Sequence, residues 1–465
     1  MNWEYKAGGT HLFGWLVLVF FGFSCSTQSF DGMLLVAVQP TNTSGLTVLG
    51  ENGYVAGSKI VAIHPESPNA NPIELTNDFF AATAPELSYD GKRMLFSAQK
   101  SVSDKWQIWE MTLSGLQAQQ LSHFTEDCIS PVYLPGDRFV FSSFLKNDTV
   151  KNSFAVFQGK LDGSQIQQVS YDPQNHTALS VLKDGRVLSI TQQVYPLVGD
   201  DKFMVMRPDG TKLELFCAHN EMEIFRSSAH ETNDGKIVFV SENGNTKKSD
   251  LVSVDYNMPF HSRNVLSPEL AGDFLFVRPG QNGQLLTSYL SESAQEFQLY
   301  SYDVEMHVLT EIWQYEEFDV LDALFIQAFE RPRNLPSEVN SSEETGLLMC
   351  QDINFSGLES MAIDDKQKAQ KIEIIGTEGS LGKVNVESDG SFYLKVDANL
   401  PFRIQTLSAE GEVIKGPGSW YYIRPNERRA CVGCHTGTEI SPFNQQPVSV
   451  RKDPVLIPVQ KTLNK

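Results

Sequence analysis

Positive charge is scarce in this chain: 37 Lys and Arg stand against 57 Asp and Glu, a net charge of −20 over 465 residues. A surface of that sign repels phosphate groups, which argues against nucleic acid or anionic lipid as a partner. Hydrolytic and nucleotide signatures are missing too. There is no Gly-x-Ser-x-Gly elbow, no His-Glu-x-x-His pair and no phosphate-cradling glycine loop. Long apolar runs are also absent. The stretch from Leu12 to Phe23 is too short for a comfortable membrane span and suits the apolar part of a secretory signal. Cysteine is sparse, with six in all, so each one can be asked what it does.

The apolar stretch ends in Ser24-Cys25, a pattern that resembles a bacterial lipoprotein signal. Residues 1–25 are therefore expected to direct export, with Cys25 as the lipidated first residue of a periplasmic or outer-membrane protein. The only membrane contact would be that N-terminal lipid. The alternative is a signal cut by the ordinary peptidase.

What the chain does have is Cys431-Val432-Gly433-Cys434-His435. Two cysteines two residues apart, followed at once by histidine, form the attachment signature of c-type haem: the thiols add across the vinyl groups, and the histidine lies beside the iron as axial ligand. A structural disulfide or redox dithiol and a zinc half-site share part of this pattern. However, no second Cys-x-x-Cys or His-x-x-x-His exists to complete a zinc site. One covalent haem c is the expectation, with Cys431 and Cys434 as thioether residues and His435 as iron ligand. Export agrees with it, because bacteria attach this haem outside the cytoplasmic membrane. Cys128, Cys217 and Cys350 are then left over, each read first as a small buried hydrophobe.

Most of the chain before the motif is a repeat. Tight turns fall at Gly91, Gly136, Gly185, Gly235 and Gly283, in steps of 45, 49, 50 and 48 residues. Each is followed by an alternating strand such as Met94-Leu-Phe-Ser or Ile237-Val-Phe-Val, and then by a hairpin such as Phe203-Met-Val-Met-Arg-Pro-Asp-Gly. Four short strands per step of that length make one blade of a β-propeller. The pattern resembles TolB-like propeller repeats and predicts an all-β propeller of six or seven blades over residues 33–335. A polar stretch from Arg331 to about Thr345 marks the boundary. Further alternating strands around the turns Asp389-Gly390 and Glu410-Gly411 predict a small β-sandwich over 345–445 that carries the haem motif, followed by a C-terminal tail over 446–465.

The run Gly418-Ser-Trp-Tyr-Tyr-Ile-Arg-Pro-Asn-Glu-Arg-Arg-Ala-Cys-Val-Gly-Cys-His, preceded by Ser388-Asp-Gly-Ser-Phe-Tyr and Leu400-Pro-Phe-Arg-Ile-Gln-Thr-Leu, resembles the haem-bearing middle domain of the hydrazine synthase alpha-subunit family. The resemblance implies a propeller joined to such a domain, with thioethers on Cys431 and Cys434 and His435 beside the iron. No second Cys-x-x-Cys-His follows, so a multi-haem path within the chain is not expected, and the resemblance does not bring hydrazine formation with it.

No methionine follows Met361, so a sixth iron ligand must come from earlier in the chain. His176 and His230, near the innermost strands, are the distal candidates; His64, His123, His219, His261 and His307 are less well placed. For each histidine, a surface or hydrogen-bonded role competes. Arg424, Arg428 and Arg429 could pair with the propionates, and Trp420, Tyr421 and Tyr422 could pack on the porphyrin, offer the iron an oxygen ligand in the case of the tyrosines, or belong to the sandwich core. Two functions follow. One is electron transfer or small-molecule redox chemistry, with a redox protein or small molecule as partner. The other is a propeller that binds a protein or glycan, with a structural or sensory haem domain.

Overall fold

The recurring glycine turns become a ring of four-stranded antiparallel blades in the computed structural model, which describes residues 1, 29–41, 55–67, 70–146, 152–218, 223–355, 368–433 and 446–459. Cys25, Cys434, His435 and His219 lie outside the described residues. Blade 2 shows the plan, running from Ala81–Leu87 at the centre through Arg93–Gln99 and Gln107–Thr112 to Gln117–Gln120 at the rim. In Arg93–Gln99 five successive residues are buried, whereas the rim strand has none. Blades stack face to face, so an inner strand is covered on both sides and reads as a continuous apolar run, while only the rim meets water.

Among the described residues six sheets of this kind, one of them five-stranded, make up the propeller. The ring closes when Phe318–Phe325, the last propeller strand, becomes the innermost strand of blade 1 by pairing with Leu34–Pro40. Closure ties the two ends of the ring into one blade and leaves the sheets only short, protected edges. The innermost strands share an irregularity. Their register shifts between Thr83 and Glu86, Ile129 and Val132, Thr177 and Ser180, and Phe274 and Val277. At three of these bulges Ala84, Ser130 and Ala178 adopt positive φ, near 52°. In blade 5 the inner strand is split into Glu223–Phe225 and His230–Glu231. A bulge re-aims the residues beside it. Arg278 meets both carboxylate oxygens of Asp322 at 2.7 Å and Glu86 at 3.0 Å, tying blades 6, 1 and 2 together where the ring closes.

Residues 329–344 form no strand, yet they are tacked down across one face of the propeller. Phe329 N donates to Tyr89 O (3.0 Å), Arg333 N to Lys183 O (2.9 Å) and Glu338 N to the Asp209 carboxylate (2.7 Å). The strap passes so close to the blade 4 turn that a Cβ on Gly185 would lie 2.1 Å from Arg333 O. At that turn the glycine is needed for clearance as well as for its positive φ.

Two four-stranded sheets follow. One runs Arg428–Cys431, Thr345–Cys350, Phe392–Asp397, Val455–Ile457; the other runs Gly379–Asn385, Lys371–Gly376, Phe402–Leu407, Val413–Lys415. Burial alternates strictly in Thr345–Cys350 and Lys371–Gly376, as a sandwich with one wet face per sheet requires. Leu348, Ile374, Leu394, Val396, Phe402 and Ile457 fill its core. The segment read as a separate tail contributes a strand: Val455–Ile457 runs parallel to Phe392–Asp397 and buries Ile457 completely. Three apolar residues between prolines are too few to show a period in the sequence.

Candidate functional site

Both edge pairs of the first sandwich sheet are parallel, so neither can be joined by a hairpin. One of these pairs brings Arg428–Cys431 alongside Thr345–Cys350, with Cys431 directly opposite Cys350. The register is locked beyond its end, where Gln351 N donates to Cys431 O at 2.8 Å. Cys350 is fully buried in the sandwich core, whereas Cys431 is half-buried at the sheet edge. The Cys431 sulfur lies 3.4 Å from Gly433 O. Gly433 has φ 149°, and a Cβ there would lie 2.6 Å from Asp352 O and 2.9 Å from Phe355. The central glycine of the motif is therefore fixed by backbone packing.

The Cys431 thiol is held down at about 6, from an ordinary value of 9.0. The main cause is the hydrogen bond from Cys350; burial opposes it, and the Arg429 guanidinium assists. Cys128 and Cys217, buried in the propeller, go the other way: loss of hydration pushes each thiol up to about 11.

The residues leading into the motif are engaged with blade 4. Tyr422 is buried among Val132, Leu134, Val187, Met206 and Leu213 of the propeller core, and its hydroxyl donates to Gly210 O at 2.9 Å. Trp420 Nε1 donates to Tyr195 O at 2.8 Å. Arg424 is buried: its Nε donates to Asp209 O (3.1 Å), its Nη1 to Asn399 Oδ1 (2.7 Å), and its guanidinium lies over the Tyr171 ring at 4.8 Å. Arg429 donates to Leu213 O and lies 5.2 Å from the Tyr421 ring centroid. Arg428 is exposed. Of the three arginines offered to propionates, two are spent on docking. Glu427 is buried as well, accepting from Arg424 N and Lys212 N at 2.8 Å each, and burial raises its carboxyl.

His176 and His230 both lie on innermost strands. His176 is completely buried, and both its ring nitrogens are engaged, Nε2 with Asp172 (3.0 Å) and Nδ1 with Ser189 (3.2 Å). His230 Nε2 meets Ser228 Oγ at 2.8 Å. Loss of hydration, together with the nearby Arg278 charge, holds it well below the ordinary histidine range. As held, His176 has no lone pair to spare for iron. His64, His123, His261 and His307 are exposed.

Sequence reasoning read Cys350 only as a small buried hydrophobe, which its burial bears out, and left Asp209 and Glu427 without roles. Only the pairing of distant strands and the docking of the two domains reveal them. Within the described residues, the arrangement fits an attached haem: the first motif thiol is lowered at a half-buried sheet edge, and the glycine between the motif cysteines is enforced by packing.

Residues 339–436 match the family described as the hydrazine synthase alpha subunit middle domain. Subunit alpha of hydrazine synthase from Kuenenia stuttgartiensis is 20% identical over 549 aligned positions, which cover 90% of this chain and 67% of its own. The solved structure of the Kuenenia stuttgartiensis hydrazine synthase superposes with a TM-score of 0.78 at 17% identity, over 90% of this chain and 71% of that one. TolB from Acinetobacter baumannii aligns with a TM-score of 0.40 at 13% identity, over 63% of this chain and 67% of its own. The chain is thus hydrazine synthase alpha-subunit-like, a propeller followed by that subunit's kind of middle domain.

Proposed function

We propose that this protein is an exported monohaem c-type protein that transfers electrons or carries out redox chemistry on a small molecule. The observation that carries the reading is the attachment motif itself, whose first cysteine, Cys431, is held at a sheet edge in register with Cys350; the lowered thiol agrees with it. Haem, when bound, supplies one-electron chemistry at iron and, where the sixth position is open, a place for a small ligand.

The chain's own residues have separable tasks. Cys431 and Cys434 would hold the group through thioethers, and His435 would stand at the iron. With its proton lost near neutrality, Cys431 offers a thiolate to the bond-forming step. Arg429 holds positive charge near that sulfur while its hydrogen bond to Leu213 O keeps the strand on the propeller. Arg428, being exposed, is the motif arginine best placed to meet a propionate. Cys25 would tether the chain by lipid. The hydrazine synthase relative is by name a subunit, which supports a protein partner here. Redox chemistry, rather than hydrazine formation, is as far as the site carries.

The test is an absorption spectrum of protein matured with a c-type haem assembly system, oxidised and reduced, with and without carbon monoxide. A pyridine haemochrome of the two-thioether type, lost in Cys431→Ser/Cys434→Ser, is expected. A shift with carbon monoxide would assign small-molecule chemistry; an unresponsive haem would assign electron transfer. A chain with no covalent haem would overturn the reading. Intact mass of the same preparation reports lipid at Cys25.

A further inference from the structure

Cys350 is not absorbed by the motif or by export, and unlike Cys128 and Cys217 it does not stand among propeller side chains. It closes the strand Thr345–Cys350, wholly buried, and pairs in register with Cys431 on a parallel neighbour. Neighbouring strands lie about 4.8 Å apart, and residues paired in register send their side chains to the same face. That spacing falls inside the window of about 4.4 to 6.8 Å between Cα atoms that a disulfide requires. The two sulfurs are already in hydrogen-bond contact. Because the backbone around them is clamped by the ladder and by Gln351 N, little has to move for a bond to form.

We propose that Cys350 and Cys431 form a reversible disulfide in the haem-free chain, so that haem can be attached only after this bond is reduced. The gating half rests on the haem reading; the disulfide itself does not. Formation removes the two thiol protons and two electrons, which pass to a disulfide oxidant such as oxidised glutathione, leaving two reduced glutathione molecules and one new S–S bond. The reverse exchange with a dithiol reductant restores both thiols. Cys431 can then add across a vinyl group with no net oxidation. Cys350 thus acts as the resolving thiol for an accessible, thiolate-prone neighbour, which would otherwise be open to oxidation beyond the reversible stage.

The experiment uses the full chain produced without haem assembly, treated with oxidised glutathione, digested without reduction and mapped by mass spectrometry. The expected product is the Cys350 peptide joined to the Cys431 peptide, two hydrogens lighter than their sum. It should also form in Cys434→Ser, which leaves buried Cys350 untouched. In a reconstituted attachment reaction without thiol reductant, the oxidised chain should load about an order of magnitude less haem than the reduced one, because only the free thiolate reacts. Cys350→Ser, or Cys350→Ala if the hydroxyl disturbs the core, should load equally in both states. Recovery of a Cys431–Cys434 link alone, of free Cys350 after oxidation, or of the same reductant dependence in Cys350→Ala would overturn the proposal. If the Cys350–Cys431 link forms but no chain ever loads haem, the haem reading falls and the disulfide stands. If haem loads and no link forms, the reverse holds.

Discussion

The propeller and the sandwich bury their cysteines to opposite effect. Cys128 and Cys217 sit in the propeller core with thiols pushed up to about 11, whereas Cys431 at the sandwich edge is brought down to about 6. Desolvation acts on all three in the same direction. What differs is a donor thiol across the strand pair, joined by a backbone hydrogen bond at Gly433; an arginine charge alone, which Cys217 also has in Arg263, does not overcome burial. The architectures differ in the same sense. The propeller closes on itself through Phe318–Phe325, while the sandwich keeps its edges and sends Tyr422 and Arg424 into its neighbour. One region is self-contained and chemically quiet; the other depends on its neighbour and carries the reactive group.

Among the polar contacts, Arg424→Ala should break that dependence most strongly. It removes hydrogen bonds to Asp209 O and Asn399 and the contact with the Tyr171 ring. Charged hydrogen bonds of this kind contribute about 1.5 to 3 kcal/mol each, less what water regains, so a loss of roughly 2 to 3 kcal/mol is expected. Hydrogen exchange read by mass spectrometry should show faster opening in 371–376 and 392–397, with 236–243 of the propeller unchanged. The haem spectrum should also stay unchanged, because this guanidinium is committed to docking. Equal loosening of both regions would mean that the sandwich is not separately held.

That role for Arg424 could not be read beforehand, because proximity to the motif in sequence suggested a cofactor partner and only the blade 4 turn at Asp209-Gly210 accounts for its burial. The propeller was far more legible. Its blades repeat, each turn needs glycine at positive φ (Gly91, Gly136, Gly185, Gly235, Gly283), and repetition averages out degenerate copies. The blade number was ambiguous because blade 1 is assembled from both ends of the repeat. The motif Cys431 to His435 was visible because its chemistry is local. The neighbour that tunes it, Cys350, was invisible because a parallel pairing between distant strands leaves no spacing to read.

The cysteine contrast is sharpened by alkylating the haem-free chain with iodoacetamide across pH and mapping each peptide. Cys431 should react with a midpoint near pH 6, while Cys128 and Cys217 stay protected in the folded chain. A gap of five pKa units favours Cys431 by about four orders of magnitude in thiolate at neutral pH. Lower basicity gives back about two of them, leaving a net advantage on the order of a hundredfold before access is counted. Cys350→Ala should move the Cys431 midpoint upward. The same shift links to stability: a depressed thiol favours folding most above pH 9.0, and that contribution fades as the pH falls towards 6. A Cys431 midpoint that ignores Cys350 would remove the cause assigned here.

The smallest effect concerns a single hydroxyl. Tyr422 brings an aromatic ring and a polar tip into the propeller core, and its OH donates to Gly210 O at 2.9 Å in a place closed to water. Tyr422→Phe keeps the ring against Tyr171 and Met206 and removes only the donor, so the expected cost is about 1 kcal/mol. Tyr422→Ala would also empty the ring's volume and should cost about 3 to 5 kcal/mol. The ratio between the two variants separates apolar docking from polar docking. If Phe costs as much as Ala, the sandwich is held chiefly by its hydrogen bonds to the Asp209-Gly210 turn. If Phe costs little and Ala much, the sandwich is held by burying its own aromatic residue in another domain's core, and the propeller serves it as a hydrophobic mould.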